Sequence, residues 1–223
     1  MGRMTTTRTA IVTGAARGIG RAIALRLATD GHHVAVLDLD ESACQVVVDE
    51  ITEGGGTALA VGVDVSDAEQ VEAGVARVAE ELGAPTLLVN NAGYGSYGAL
   101  EEVPMDEARR QFEVNVFGLA RLTQLITPHM RTRGSGTIIN ISSIGGRLTT
   151  PLGGWYHATK YAVEALSDAL RMELRPFGID VVVIEPGCIR TAWWAIAADH
   201  LEATAESSAG SRPGPGRRGR LEP

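Results

Sequence analysis

Six short apolar runs, separated by stretches of helical pattern, constrain this chain more than any other feature. They are TAIVT (9–13), HVAVLD (33–38), ALAVGVDV (58–65), TLLVNN (86–91), TIINIS (137–142) and DVVVIE (180–185). Each is rich in β-branched residues and barely alternates, as strands buried on both faces do. Helical periodicity fills 19–29, 67–82, 105–133 and 155–176, with Ser66 as the expected N-cap of the second of these. Strands alternating with helices predict an α/β fold. Its parallel sheet of about six strands has right-handed crossovers and an open, doubly wound layout in the order 3-2-1-4-5-6.

The first strand runs through TGAARGIG (13–20) straight into a helix. Gly14 permits the tight turn, Gly18 lets backbone approach an anionic ligand, and Gly20 lets the helix pack closely on the sheet. The helix N-terminus, with Arg17 and Ile19 beside it, then faces a pyrophosphate. Asp38 closes the second strand 18 residues after Gly20, where an acid accepts from ribose hydroxyls. A 2′-phosphate there would meet a carboxylate, and Leu39 offers no cation, so the expected cofactor is NAD rather than NADP. Arg17 is the counter-argument, since it could reach a 2′-phosphate. The fold is thus expected to be a single Rossmann-type domain over residues 1–210.

At this point the chain resembles the short-chain dehydrogenase/reductase family. The resemblance covers residues 9–191 in order: TGAARGIG, Asp64-Val65, NNAG (90–93), Asn115, Ser143, Tyr156-x-x-x-Lys160 and PGCIRT (186–191). It implies hydride transfer between NAD(H) and a secondary alcohol or ketone, with Asn115, Ser143, Tyr156 and Lys160 as the catalytic set. It also implies cofactor contacts from Asp64, Val65, Asn91, Ala92, Gly93, Tyr156, Lys160, Pro186, Gly187, Ile189 and Thr191. The register places the catalytic serine at 143 rather than at its neighbour Ser142.

The chemistry explains why these residue types are needed. Hydride transfer at a carbinol carbon requires a partner proton transfer, and a tyrosine is a poor base at its ordinary pKa of about 10. Lys160 is the only lysine among 20 basic side chains, and it stands four residues after Tyr156, on the same helical face. An ammonium about 4 Å away would favour the phenolate by about 4 kcal/mol, enough to bring the phenol toward physiological pH. His157 falls on a different helical face and is expected to be solvated. Tyr94, Tyr97, Leu148, Leu152, Trp193 and Trp194 are candidates for an apolar substrate pocket. The stretch from Gly145 to Gly187 looks like that of members acting on hydrophobic, including hydroxysteroid-type, substrates.

Charge and composition exclude other classes. A net charge of −7 argues against nucleic acid as a partner. Cys44 and Cys188 form no metal-ligand spacing, so no metal site is expected and the thiols are read as reduced. No run is long enough to span a bilayer, the Gly2/Thr6 myristoylation pattern is taken as accidental, and the expected location is cytoplasmic.

The segment 211–223 carries +3 against −10 for residues 1–210 and is expected to be disordered. A frameshift or truncation is the favoured origin, with a basic hook for an acidic partner as the weaker reading. Only part of a substrate lid (191–207) and no seventh strand are readable. A homodimer on the long helices is therefore expected, a tetramer is doubtful, and a catalytically impaired nucleotide-binding or regulatory protein is the alternative function.

Overall fold

A computed structural model of the chain describes residues 8–187 and 189. The elements run β1 (Arg8–Thr13), α1 (Gly18–Thr29), β2 (His32–Asp38), α2 (Glu41–Glu53), β3 (Thr57–Gly62), α3 (Ala68–Glu81) and β4 (Pro85–Asn90). They continue with α4 (Met105–Phe112), a π-helical segment (Glu113–Gly118), α5 (Leu119–Arg133), β5 (Gly136–Ile141), α6 (Gly154–Leu174) and β6 (Ile179–Ile184). Among the described residues the six strands form one parallel sheet in the order β3-β2-β1-β4-β5-β6.

The unbroken apolar runs follow from burial on both sides. Ile11, Leu37, Val61, Leu88 and Ile138 pack with Val71, Val75 and Val78 of α3 and with Leu122, Ile126 and Met130 of α5. Ala10, Val12, Val34, Val36 and Val89 point the other way, onto Ala24 of α1 and Cys44, Val47, Val48 and Ile51 of α2. Neighbouring positions in one strand therefore serve opposite layers.

Four local expectations are corrected. The strand β6 is not buried on both faces: Ile179 and Val181 are covered, whereas Val182 and Ile184 are 41% and 42% exposed, because β6 ends the sheet order and α6 packs on one side of it. The α3 cap is Asp67, whose carboxylate accepts from the Glu69 and Gln70 amides, while Ser66 donates to Asp64. The expected helix 105–133 is three segments, its centre widened into the π-helical turn. The helix α2 was not expected, although Asp40 caps it through the Ser42 and Ala43 amides. The partial lid (191–207), the tail (211–223), Gly2, Thr6, Cys188, Thr191, Trp193 and Trp194 lie outside the described residues.

Candidate active site

The carboxyl ends of β1, β4 and β5 open onto a cleft of about 570 Å³, within the usual size of small-molecule and cofactor sites. At its β1 end the glycine turn is built by close contact. Gly14 has φ +61°, and a Cβ there would lie 2.9 Å from Ala92 Cα. A Cβ on Gly20 would lie 2.2 Å from the Gly14 carbonyl oxygen, so only glycine lets α1 come this near. Asn91 ties the turn to β4: its Nδ2 donates to the Thr13 and Gly14 carbonyls at 2.9 and 3.0 Å. Thr13 Oγ1 accepts from the Asn91 and Ala92 amides in return. The first turn of α1 contains no acidic residue and no capping side chain, which leaves its N–H groups and dipole open to an anion.

Asp38, at the end of β2, has its carboxylate fixed from two sides. Oδ2 accepts from the Ala16 amide at 3.0 Å and Oδ1 from the Leu39 amide at 2.9 Å. Further along, Asp64 accepts from the Ser66 amide and hydroxyl, with Arg110 Nη2 3.6 Å from its other oxygen.

The polar groups at the centre come from three elements. Asn115, buried in the π-helical segment, receives the Tyr94 amide on Oδ1 (3.0 Å) and donates through Nδ2 to the Tyr94 carbonyl (2.9 Å) and Thr159 Oγ1 (3.1 Å). Ser143 follows β5 and accepts from the Gly145 amide at 3.0 Å. Its hydroxyl also hydrogen-bonds the Tyr156 phenol, which favours the phenolate, but burial outweighs this and holds the phenol above its ordinary pKa.

Lys160 Nζ donates to the Ile141 carbonyl at 2.9 Å and lies 5.9 Å from the Tyr156 ring centroid. Here the structure departs from the expectation that the ammonium depresses the phenol. Lys160 is itself 7% exposed, and burial, opposed by the Glu164 charge, brings its pKa down to about 8. With the ammonium turned onto a main-chain carbonyl and its charge opposed by burial, the phenol's own burial dominates.

Three side chains missed in the sequence belong to this centre. Glu164, 5% exposed, lies four residues beyond Lys160. Its oxygens accept no hydrogen bond among the described residues, and Arg147 Nη2 pairs with one of them at 2.9 Å. The same guanidinium bonds Glu185. The spacing 156, 160, 164 could have revealed Glu164. His157 corrects a second expectation: it is 5% exposed rather than solvated, its ring held between Gly145 and Thr150.

The cleft wall contains Gly14, Arg17, Gly18, Ile19, Asp38, Asp64, Val65, Asn91, Ala92, Gly93, Ser143, Tyr156, Lys160, Pro186, Gly187 and Ile189. Gly20 and Asn115 stand behind it rather than on it. Of the apolar candidates, Tyr94, Tyr97 and Leu148 line the cleft and Leu152 does not. Ser142 Oγ is buried and faces Gly146. Cys44 is an unpaired thiol pushed up to about 11 by burial and by the Asp38 charge. No group of three or more metal-ligating side chains occurs among the described residues, and no helix among them is long and apolar enough to cross a membrane.

The family model for short chain dehydrogenase matches residues 8–201. The short-chain type dehydrogenase/reductase VdlC of Helicobacter pylori is 36% identical over 193 residues, 86% of this chain and 69% of its own length. An NADPH-dependent 3-dehydrocapnine reductase of Ornithobacterium rhinotracheale is 37% identical over 85% of this chain and 68% of its own. The crystal structure of a short-chain type dehydrogenase/reductase from Mycobacterium marinum superposes with a TM-score of 0.82 at 36% identity, covering 86% of this chain and 77% of that one. The chain is an oxidoreductase of the short-chain dehydrogenase family, which uses a nicotinamide cofactor.

Proposed function

We propose that the cleft binds NAD(H) and that the protein interconverts a secondary alcohol and its ketone, with an apolar, steroid-like substrate. The observation that carries this reading is the meeting of the Ser143 hydroxyl and the Tyr156 phenol on one cleft wall. When bound, the nicotinamide supplies the hydride donor or acceptor. Tyr156 gives its proton to the substrate oxygen on reduction and takes one on oxidation. Ser143 donates a hydrogen bond to the same oxygen as charge develops on it.

Lys160 supplies positive charge beside the phenol and a donor for ribose hydroxyls. Asn115, joined to the Tyr94 main chain and to Thr159, holds the π-helical turn behind Gly93. The open first turn of α1 and the close Gly14–Gly20 approach fit a pyrophosphate. Asp38, with its carboxylate fixed, fits a free 2′-hydroxyl. The NADPH in the name of the Ornithobacterium relative points the other way, and so does Arg17 in the cleft wall. Tyr97, Ile144 and Leu148 support an apolar substrate. The expected homodimer would cover the apolar groove between Met105, Phe112, Phe117 and Trp155 on α4, the π-helical segment and α6.

A second reading is nucleotide binding without turnover; the raised phenol favours it for oxidation alone, where Tyr156 must act as a base, since reduction needs the protonated phenol. Titration with NADH and NADPH by fluorescence, followed by a screen of secondary alcohols and ketones by absorbance, separates the two. Turnover abolished by Tyr156→Phe supports the dehydrogenase. Cofactor binding with no turnover on any substrate supports the alternative.

A further inference from the structure

His157 stands one residue past Tyr156 on α6, and its ring is gripped at both ends. Nδ1 lies 3.0 Å from the Gly145 carbonyl oxygen. Nε2 lies 3.1 Å from the Thr150 amide nitrogen and 3.0 Å from Thr150 Oγ1. A carbonyl can only accept and a main-chain amide can only donate. The two contacts therefore assign the proton: Nδ1 carries it and gives it to Gly145, and Nε2 accepts from Thr150. A proton on Nε2 would face the Thr150 N–H and break that contact.

The two backbone segments so joined have different duties. Gly145 donates its amide to Ser143 Oγ, and Thr150 lines the cleft on the far side of the same loop. The glycines on this loop make the room. A Cβ on Gly145 would lie 2.8 Å from His157 Nδ1, and one on Gly153 would lie 2.7 Å from Nε2. Gly153 has φ −103°, an ordinary conformation for any residue, so the imidazole and the nearby Tyr97 ring, rather than backbone strain, exclude a side chain there.

We propose that His157 is a positioning residue, a neutral imidazole proton-locked on Nδ1 that ties the Ser143 turn to the Thr150 wall of the substrate cleft. The kinetic part rests on the dehydrogenase reading. The Ser143 turn has other anchors, since the Ser142 amide donates to Ile184 and the Ile144 amide to Pro186. The Thr150 amide has His157 as its partner. Loss of the imidazole therefore loosens the substrate wall more than the serine, and KM rises more than kcat falls.

Two measurements that need no substrate test this. In protein labelled with ¹⁵N-histidine, one of the five histidines, assigned by its disappearance in His157→Gln, should show Nδ1 protonated and Nε2 bare at neutral pH. The Thr150 amide should exchange slowly in the wild type and in His157→Gln, whose carboxamide can accept and donate, and at least tenfold faster in His157→Leu.

With a turned-over substrate, His157→Leu should raise KM about tenfold while kcat stays within about threefold, and His157→Gln should restore most of the loss. Gly153→Ala, with His157 intact, should raise KM in the same way. A proton on Nε2, equal exchange of Thr150 in all three proteins, or a fall in kcat at constant KM would each overturn the proposal. Absence of turnover in the wild type, with the Nδ1 signature and slow Thr150 exchange present, would sink the dehydrogenase reading and leave the lock standing.

Discussion

Glu164 lies one turn beyond Lys160 on α6, and its carboxylate is the charge that opposes loss of the Lys160 proton. Because Lys160 is the only lysine, protein labelled at lysine Cε gives one side-chain resonance. In the cofactor-free protein that signal should titrate near pH 8 rather than at the ordinary value of about 10.4. In Glu164→Gln the midpoint should move lower, because burial then acts unopposed. A midpoint unchanged by that substitution would remove Glu164 from the electrostatics of the site.

The same shift predicts the sign of a stability change. Lys160 titrates near 8 when folded and near 10.4 when unfolded, so between those values the unfolded chain holds more protons. Its contribution is unfavourable below pH 8 and is relieved as pH rises through that window. The difference in urea midpoint between wild type and Lys160→Met should therefore move in favour of the wild type from pH 8 to pH 10. Above pH 10 the buried phenol, raised when folded, works in the opposite direction. A difference that is flat from pH 7 to 10 would contradict the burial argument.

Removal of the proton donor should be more costly than loss of its neighbour. Tyr156→Phe is expected to lower kcat by about 10²- to 10⁴-fold, and Ser143→Ala by about 10²- to 10³-fold. Ser143→Ala should leave NADH affinity within about threefold, since on the proposed reading that hydroxyl acts on the substrate oxygen. Stopped-flow turnover and fluorescence titration on the same samples measure both quantities. Weakened NADH binding with kcat preserved would reassign Ser143 to cofactor binding.

The sheet was legible because both of its faces are buried over the inner strands. Ile11 and Val12 must each be apolar for a different helix layer, so the run shows no alternation and stands out. The residues that line the cleft were legible because glycine, tyrosine and lysine at those spacings have few structural substitutes. Helix α2 carried its own signal in Asp40 and the spacing of Cys44, Val47, Val48 and Ile51. The π-helical turn carried none, because EVNVFG continues an ordinary helical pattern and the widening exists only in its hydrogen bonds. His157 was misplaced for a non-local reason: its burial depends on Gly145 and Gly153, which close over it from a loop whose path no local pattern records.

Gly20 should tolerate no side chain. The Cβ of Gly20→Ala would meet the Gly14 carbonyl oxygen at 2.2 Å and Asn91 Nδ2 at 2.5 Å. The first of these contacts is backbone and cannot swing aside, so α1 must back away from the sheet. The expected cost is about 1–3 kcal/mol of stability, read by chemical denaturation, together with weaker NADH binding. Gly54→Ala, whose Cβ would lie no closer than 3.4 Å to any neighbour, is the control and should leave NADH binding unchanged.

On the NAD(H) proposal, cofactor choice turns on the charge of Asp38, and a single substitution isolates that charge. Asp38→Asn keeps the shape but turns one NH₂ toward either the Ala16 or the Leu39 amide, both of which now donate to the carboxylate. Absolute affinity for either cofactor should fall as the glycine turn loosens, so the informative quantity is the ratio. Removing a negative charge beside the expected 2′ position should raise the NADPH-to-NADH affinity ratio by about tenfold or more, which corresponds to about 1.4 kcal/mol. Adding Arg17→Ala to Asp38→Asn should reverse much of that gain, if Arg17 reaches the phosphate once the acid is gone. Competitive titration of both cofactors across the four proteins gives the result. A wild type that already prefers NADPH would place Arg17, rather than Asp38, in control of the choice.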